Sequence, residues 1–374
     1  MGVGCMFDDV KPVQLSQEQV GQAQLDQVPL HHGGDLLHWQ RKVGNDALDW
    51  LDLSSACNRE PWSVPEVDPI LWQELPDQTA LLNQATRFYG VRPIAIGAGS
   101  QHIIESLPLF LSYRHSKKRA CVPRIGYQEH AFAWQKWGYE LVFYDVLNEL
   151  LEMEWSVAVI IQPNNPMGDM AEVALIKTLV ARAEQLDGHL VIDEAFIDSV
   201  SHLSVLNEFE GGVKSESLFV LRSVGKFFGL AGARVGFVFC AMSWQSTLRN
   251  LLGPWPVATP SLWMVERALK DVSWQEKALL SLADRQKVFI DRIMPKLHTV
   301  FDSQECVITP LFFTWRLESK ETAEFAFGML HQVGVHTRLG DGWIRVALPA
   351  MYEMVPLNNA LVGLLKKSGG RELA

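Results

Sequence analysis

Ser223-Val-Gly-Lys226-Phe-Phe-Gly-Leu-Ala-Gly-Ala-Arg234-Val-Gly236 sets a hydroxyl, a lysine and an arginine into a glycine-rich run. Glycine permits backbone conformations and close approaches that other residues resist. Phe227, Phe228 and Leu230 give the lysine apolar neighbours. Desolvation disfavours an ammonium ion, and the neutral amine that results is a nucleophile able to condense with an aldehyde. Ser223 and Arg234 are suited to hold a phosphate beside it. A Schiff-base lysine flanked by phosphate anchors is what pyridoxal 5′-phosphate requires.

Working outward, strand and helix signals alternate. Ile94–Ile96, Arg119–Val122, Glu140–Tyr144, Val157–Gln162, His189–Ile192, Leu218–Leu221 and Val235–Cys240 read as strands. Leu81–Tyr89, a stretch running through Leu111, His130–Trp137 and Val173–Leu186 read as helices, several closed by glycine. This alternation predicts an α/β fold with a mainly parallel sheet and helices on both faces. In such sheets the ligand sits outside the carboxyl ends of the strands. Gly97–Gln101, Pro163–Gly168, Asp193 and Ser223–Lys226 all follow predicted strands, so one pocket can collect them.

After Pro254 and Pro256 the pattern shifts to longer helices, Ser261–Lys270 and Trp274–Leu297, then short strands at Cys306–Ile308, Phe312–Arg316 and Trp343–Ala347. The expected organisation is an arm over 1–30, a large domain over 31–260 and a small α+β domain over 261–374. The opening stretch of the large domain is allowed to pack with the small one.

Composition narrows the class. The chain has 374 residues, 48% of them hydrophobic, enough for two buried cores. A net charge of −10 argues against a general nucleic-acid binder, whereas a small anionic substrate needs only a local cationic pocket. The five cysteines form no CxxC pair and read as reduced cytoplasmic thiols. No signal peptide and no membrane-spanning run is evident. His31 and His32 lack further ligands at suitable spacing, so no metal site is expected.

Each remaining candidate also has an ordinary explanation. Asp193 closes an apolar strand and is poised to pair with a cation in the cleft; alone it could be a helix cap. Pro163-Asn-Asn-Pro166-Met-Gly168 is a turn, and places Asn165 near a ligand only in context. Gly99-Ser100-Gln101 opens a helix, whose free N–H groups attract an anion. Arg338 and Arg345 offer forked donors for carboxylate or phosphate, or simple surface ion pairs. His130 or Tyr127 could stack on a cofactor ring. His32 and Gly33 could form a substrate-facing loop.

The segments Asn165-Pro166-x-Gly168, Asp193-Glu-Ala-Phe196 and Ser223-x-x-Lys226 with Arg234 stand in the order seen in fold-type I pyridoxal-phosphate enzymes. The chain resembles that aspartate aminotransferase superfamily over about residues 30–350. The resemblance implies that Lys226 carries the cofactor, Asp193 pairs with the pyridine nitrogen and Asn165 contacts O3′. It implies that Ser223, Arg234 and the Gly99-Ser100-Gln101 turn hold the phosphate, that Arg345 receives a substrate carboxylate, and that the protein is a homodimer. His130 aligns with the ring-stacking position and Tyr127 is second.

Within the superfamily the chain is most similar to the threonine-phosphate decarboxylases of cobalamin biosynthesis, relatives of histidinol-phosphate aminotransferase. His32-Gly33-Gly34, the Asp52-Leu-Ser-x-x-x-Asn58 segment, the Arg222–Arg234 run and Phe196 in place of a tyrosine carry that likeness. It implies decarboxylation of L-threonine O-3-phosphate to (R)-1-amino-2-propanol O-2-phosphate, with Arg338, His32, Gly33 and Asn58 near the substrate. The alternative is an aminotransferase acting on a substrate such as histidinol phosphate, which would use the same cofactor residues. Leu75-Pro76-Asp77 departs from the family's Tyr-Pro-Asp, whose tyrosine reaches the neighbouring subunit's cofactor phosphate.

Overall fold

The computed structural model describes residues 33–44 and 49–368; the expected arm over 1–30 and His32 lie outside them. The short strand β1 (Leu51–Asp52) comes first. The strands β2 (Ala95–Ala98), β3 (Arg119–Pro123), β4 (Glu140–Tyr144), β5 (Val157–Ile161), β6 (His189–Asp193), β7 (Leu218–Ser223) and β8 (Val235–Phe239) follow. They form a seven-stranded sheet in the order β2-β8-β7-β6-β5-β3-β4. Every pairing is parallel except the two made by β8, which runs against both β2 and β7.

Continuous apolar runs make the central strands, because side chains on both faces are buried. Val157, Val159 and Ile161 pack into one hydrophobic cluster; Ala158 and Ile160 pack into the other. This period of two divides the core into two layers. The helix Val173–Gln185 supplies Ile176, Leu179 and Ala183 to one layer. The helix Gly99–Leu111 supplies Ile103, Leu107 and Leu111 to the other. The expected α/β sheet with helices on both faces is therefore observed.

The later strands are β9 (Cys306–Ile308), β10 (Phe312–Arg316), β11 (Val335–His336), β12 (Arg338–Gly340) and β13 (Trp343–Ala347). β12, β13, β10 and β9 form an antiparallel four-stranded sheet in that order, and β11 pairs with β1. Two backbone bonds, Leu53 N–H to His336 O (2.7 Å) and Ala347 N–H to Leu53 O (2.9 Å), bring the segment after β1 alongside the later strands. Thr314 Oγ1 donates to Pro166 O at 2.6 Å and fastens β10 to the turn after β5.

One expected helix is divided. The helix read over Trp274–Leu297 is two helices, Val272–Arg292 and Met294–Phe301. Pro295 lacks an N–H and is tolerated in a helix's first turn but not its interior. It sits in the first turn of the second helix, and the break falls just before it.

Candidate active site

The sheet brings the candidate residues together by a simple device. β6 and β7 end at Asp193 and Ser223, and β2 gives way at Ala98 to the helix beginning at Gly99. β8 is reversed, so its first residues meet the last residues of its neighbours: Gly236 faces Ser223 on one side and Gly97 on the other. Arg234, just before β8, therefore arrives at the same edge as Asp193, Ser223 and Gly99.

Close approach at this edge depends on glycine. A Cβ on Gly236 would lie 2.3 Å from Ser100 N. Gly99 has φ +75°, and a Cβ there would lie 2.7 Å from Arg234 Nη2. Arg234 itself holds a left-handed backbone at φ 51°, uncommon for a residue with a side chain and typical of functional sites. Its guanidinium thus lies against the start of a 13-residue helix whose first N–H groups have no intrahelical partner. Ser223 stands beside them, paired with Gly236 across β7 and β8. Guanidinium, hydroxyl and helix N-terminus form a cradle suited to a phosphate. Gly99→Ala should weaken cofactor affinity about 10-fold or more, since strain of order 1–3 kcal/mol at positive φ adds to the contact with Arg234. Fluorescence titration with pyridoxal 5′-phosphate measures it.

Lys226 lines an open cleft of about 1560 Å3 together with Tyr127, Asn165, Phe196, Arg338 and Arg345. Its Nζ stands 5.2 Å from the Phe196 ring centroid. Phe227 and Phe228 turn away into the core.

Asp193 is 3% exposed. Its Oδ1 accepts from Ala195 N at 3.0 Å, and its Oδ2 accepts from His130 Nε2 at 3.0 Å. That bond corrects the expectation for His130. The imidazole is buried and tied to the carboxylate, whereas Tyr127 lines the cleft. Tyr127, not His130, is the ring available for stacking. Its hydroxyl donates to Gln101 Oε1 at 2.9 Å, and burial raises its phenol, so it stays protonated. Gln101 also donates through Nε2 to Glu105 and Glu129, each at 2.8 Å. Its side chain is thereby committed to holding Tyr127, and only its main chain remains for an anion.

Asn58 is a second correction. It lies buried beneath the lysine loop rather than on the cleft wall. Its N–H donates to Lys226 O at 2.8 Å, and its Nδ2 donates to Phe227 O at 3.1 Å. Its Oδ1 accepts from Arg285 Nη2 at 2.7 Å and from Glu60 N at 3.1 Å. Its carboxamide is engaged on both sides, Nδ2 with the lysine loop and Oδ1 with Arg285, and Asn58 is not among the residues that line the cleft.

Arg338 and Arg345 are direct partners across the β12–β13 pair. Like charges opposite one another repel. Burial, with Arg338 adding to it, pushes Arg345 down to about 9. Arg345 donates to Asn165 Oδ1 through Nη1 and to Ser54 O through Nη2. Its Nε and Arg338 Nη1 are buried without a hydrogen bond. Two forked cations with spare donors are arranged to receive anions. Gly33 lines the same cleft, where a Cβ would lie 2.5 Å from Ser54 O.

Sequence reasoning missed the ion network under the edge. Arg222, beside Ser223, bonds Glu194, beside Asp193, and also Asp198. Ser204 completes it, donating to Glu194 Oε2 at 2.7 Å and accepting from Arg222 Nη2 at 2.7 Å. Two buried carboxylates share one guanidinium. Burial pushes Asp198 up to about 6, and Glu194 adds to the rise. The folded state thus holds this proton more tightly than the unfolded chain. The associated stability is present below the ordinary value near 3.8 and is lost as pH rises through about 6. Asp198→Asn should remove a loss of about 1–1.5 kcal/mol that the wild type suffers between pH 5 and pH 8. Thermal unfolding at the two pH values checks the sign.

Comparison with known proteins agrees with this geometry. The model of the family "Aminotransferase class I and II" matches residues 73–361. The chain belongs to that family. A threonine-phosphate decarboxylase of Pseudomonas aeruginosa is 35% identical over 252 residues, 65% of this chain and 71% of that protein. A histidinol-phosphate aminotransferase of Legionella pneumophila is 34% identical over 137 residues, 34% of this chain and 35% of that protein. The crystal structure of a Sinorhizobium meliloti histidinol-phosphate aminotransferase with pyridoxal-5′-phosphate shares the fold, with a TM-score of 0.74 at 17% identity over 92% of this chain and 97% of that one. The architecture is fold type I, the resemblance to threonine-phosphate decarboxylases holds, and the cofactor is pyridoxal 5′-phosphate. The Arg234–Gly99 cradle fits that cofactor's phosphate, and Lys226 and Asp193 share the edge on which the cradle is built. Among the described residues no helix is long and apolar enough to cross a membrane.

Proposed function

We propose that the protein decarboxylates L-threonine O-3-phosphate to (R)-1-amino-2-propanol O-2-phosphate, in cobalamin biosynthesis. The observation that carries this reading is the pair Arg338–Arg345, two guanidiniums side by side on neighbouring strands in the cleft of Lys226. The substrate has two anionic ends, a carboxylate and a phosphate, close enough to engage both. Similarity to threonine-phosphate decarboxylases over most of their length supports it.

When bound, pyridoxal 5′-phosphate supplies an electron sink for the carbanion left as CO2 departs. Ser223, Arg234 and the N–H groups of Gly99, Ser100 and Gln101 hold its phosphate. Asp193 would be the counter-charge for its ring nitrogen, Asn165 the partner of O3′, and Tyr127 the aromatic ring that stacks with it. Arg345 and Arg338, with Gly33 allowing the close approach at Ser54, fix the substrate's anionic ends. That orientation decides which bond at Cα breaks, and orientation can supply several of the ~7–11 kcal/mol available from proximity. The Cα–carboxylate bond is the one broken, its electron pair staying behind as CO2 leaves, and Lys226 Nζ, protonated by the substrate's ammonium group, would deliver a proton to Cα.

We include in the proposal a larger domain over 31–260, a smaller one over 261–374 that contains β9, β10, β12 and β13, and a homodimer. Trp72 and Leu75, about 70% exposed on one segment, suit a covered surface. The test is product analysis with threonine phosphate and pyridoxal 5′-phosphate. The expected result is CO2 and aminopropanol phosphate with no keto acid present. Turnover that requires a keto-acid acceptor would instead assign an aminotransferase, for which the matches to histidinol-phosphate aminotransferases are the specific observation.

A further inference from the structure

We infer that Arg285 is a positioning residue for Lys226, acting through Asn58. The loop after β7 is held in place largely by backbone contacts to the segment around Asn58. Lys226 O and Phe227 O both accept from Asn58, and Phe228 O accepts from Trp62 N at 3.0 Å. Gly229, at φ +69°, passes so close that a Cβ would lie 2.6 Å from Asn58 O. The lysine's main chain is therefore placed by wherever the Asn58 segment is placed.

Asn58 is in turn fixed by Arg285, 227 residues away in sequence, on the helix Val272–Arg292. Arg285 is 0% exposed. Its Nη2 donates to Asn58 Oδ1, and its Nη1 donates to Pro349 O at 3.2 Å. Glu60, the nearest acid, sits 3.5 Å from its Nε and is itself held by Ser281 Oγ at 2.5 Å and Met351 N at 2.9 Å. Burying a guanidinium is costly, and an apolar side chain would serve packing better. What the planar fork provides is a fixed bridge between two separate acceptors, which a lysine cannot reproduce. One acceptor is the residue that places the cofactor lysine; the other follows the strand carrying Arg345.

The inference rests on Lys226 as the cofactor lysine. It does not rest on the choice of substrate, so failure of the decarboxylase assay leaves it standing. The test uses purified holoenzyme and two readouts: the rate at which pyridoxal 5′-phosphate leaves on dilution, and the induced circular dichroism of its visible band. Arg285→Met and Asn58→Leu are each expected to speed release about tenfold and to reduce the ellipticity, the scale of one lost hydrogen bond to a charged group. Because the residues act in series, the double variant should be no worse than the more affected single variant. Arg285→Lys keeps the cation but not the fork. It should fold with a melting temperature near wild type yet show faster release. Wild-type release and ellipticity in Arg285→Lys or Arg285→Met, at whatever melting temperature, would show that Arg285 is only a structural rivet. Effects of Arg285→Met and Asn58→Leu that multiply in the double variant would equally overturn the series arrangement.

Discussion

Lys226→Ala is expected to abolish the cofactor's lysine-dependent visible absorbance and to lower turnover by at least about 10³-fold, within the range for a positioned proton-transfer group. Phe227 and Phe228 next to it face the core and Phe196 is the ring beneath Nζ, so none of these neighbours can take its place. Folding should be little affected. The side chain lines an open cleft, and the main chain is held by Asn58 and by Gly229 N–H to Lys226 O at 3.2 Å, both independent of the side chain. Surface-type substitutions of this kind usually fall within about 0.5 kcal/mol. The cradle of Ser223, Arg234 and Gly99 remains, so the variant should still bind the cofactor noncovalently. An absorption spectrum alongside the product assay decides it. A variant that keeps both the visible band and turnover would remove Lys226 from the chemistry.

The sheet was legible where strands are apolar and bounded by turn residues. Glu140–Tyr144, Cys306–Ile308, Phe312–Arg316 and Trp343–Ala347 match the expected bounds because turn residues close them. β1 (Leu-Asp), β11 (Val-His) and β12 (Arg-Leu-Gly) are no longer than β9 and lack its unbroken apolar run. Their existence depends on partners distant in sequence. The candidate site was legible for the same reason as the strands: Asp193, Ser223 and Gly99 lie where strands stop. Arg234 is different. Its motif marked it, but its arrival at that edge depends on the reversal of β8, which only the assembled sheet reveals. Tyr127 and His130 are three residues apart at the start of the helix Glu129–Lys136, and spacing alone cannot say which ring meets the cleft and which meets Asp193. Asn58 and Arg285 were opaque in another way. A buried arginine in Ser281-Leu-Ala-Asp-Arg285-Gln-Lys carries no local sign that its partner lies before residue 60.

Asp193→Ala is expected to lower turnover about 10²–10³-fold, the scale for removing one preorganised electrostatic group from a water-poor site. The carboxylate is almost fully buried at the end of β6, where the bonds from Ala195 and His130 fix both oxygens. Truncation does two separable things. It removes the charge proposed to face the cofactor's ring nitrogen. It also strands the buried His130 without its carboxylate partner, at a cost of about 1–3 kcal/mol. Asp193→Asn separates the two, because the amide keeps the shape and an acceptor oxygen while losing the charge. If the charge matters to the chemistry, Asp193→Asn should fall nearly as far in kcat as Asp193→Ala while melting closer to wild type. Both variants should retain cofactor, since Lys226 and the phosphate cradle are untouched. Measuring kcat with cofactor saturating, next to melting temperature, distinguishes the cases. Near-wild-type kcat in Asp193→Asn would reduce Asp193 to a partner for His130, and would leave the ring nitrogen's counter-charge to be found elsewhere in the cleft.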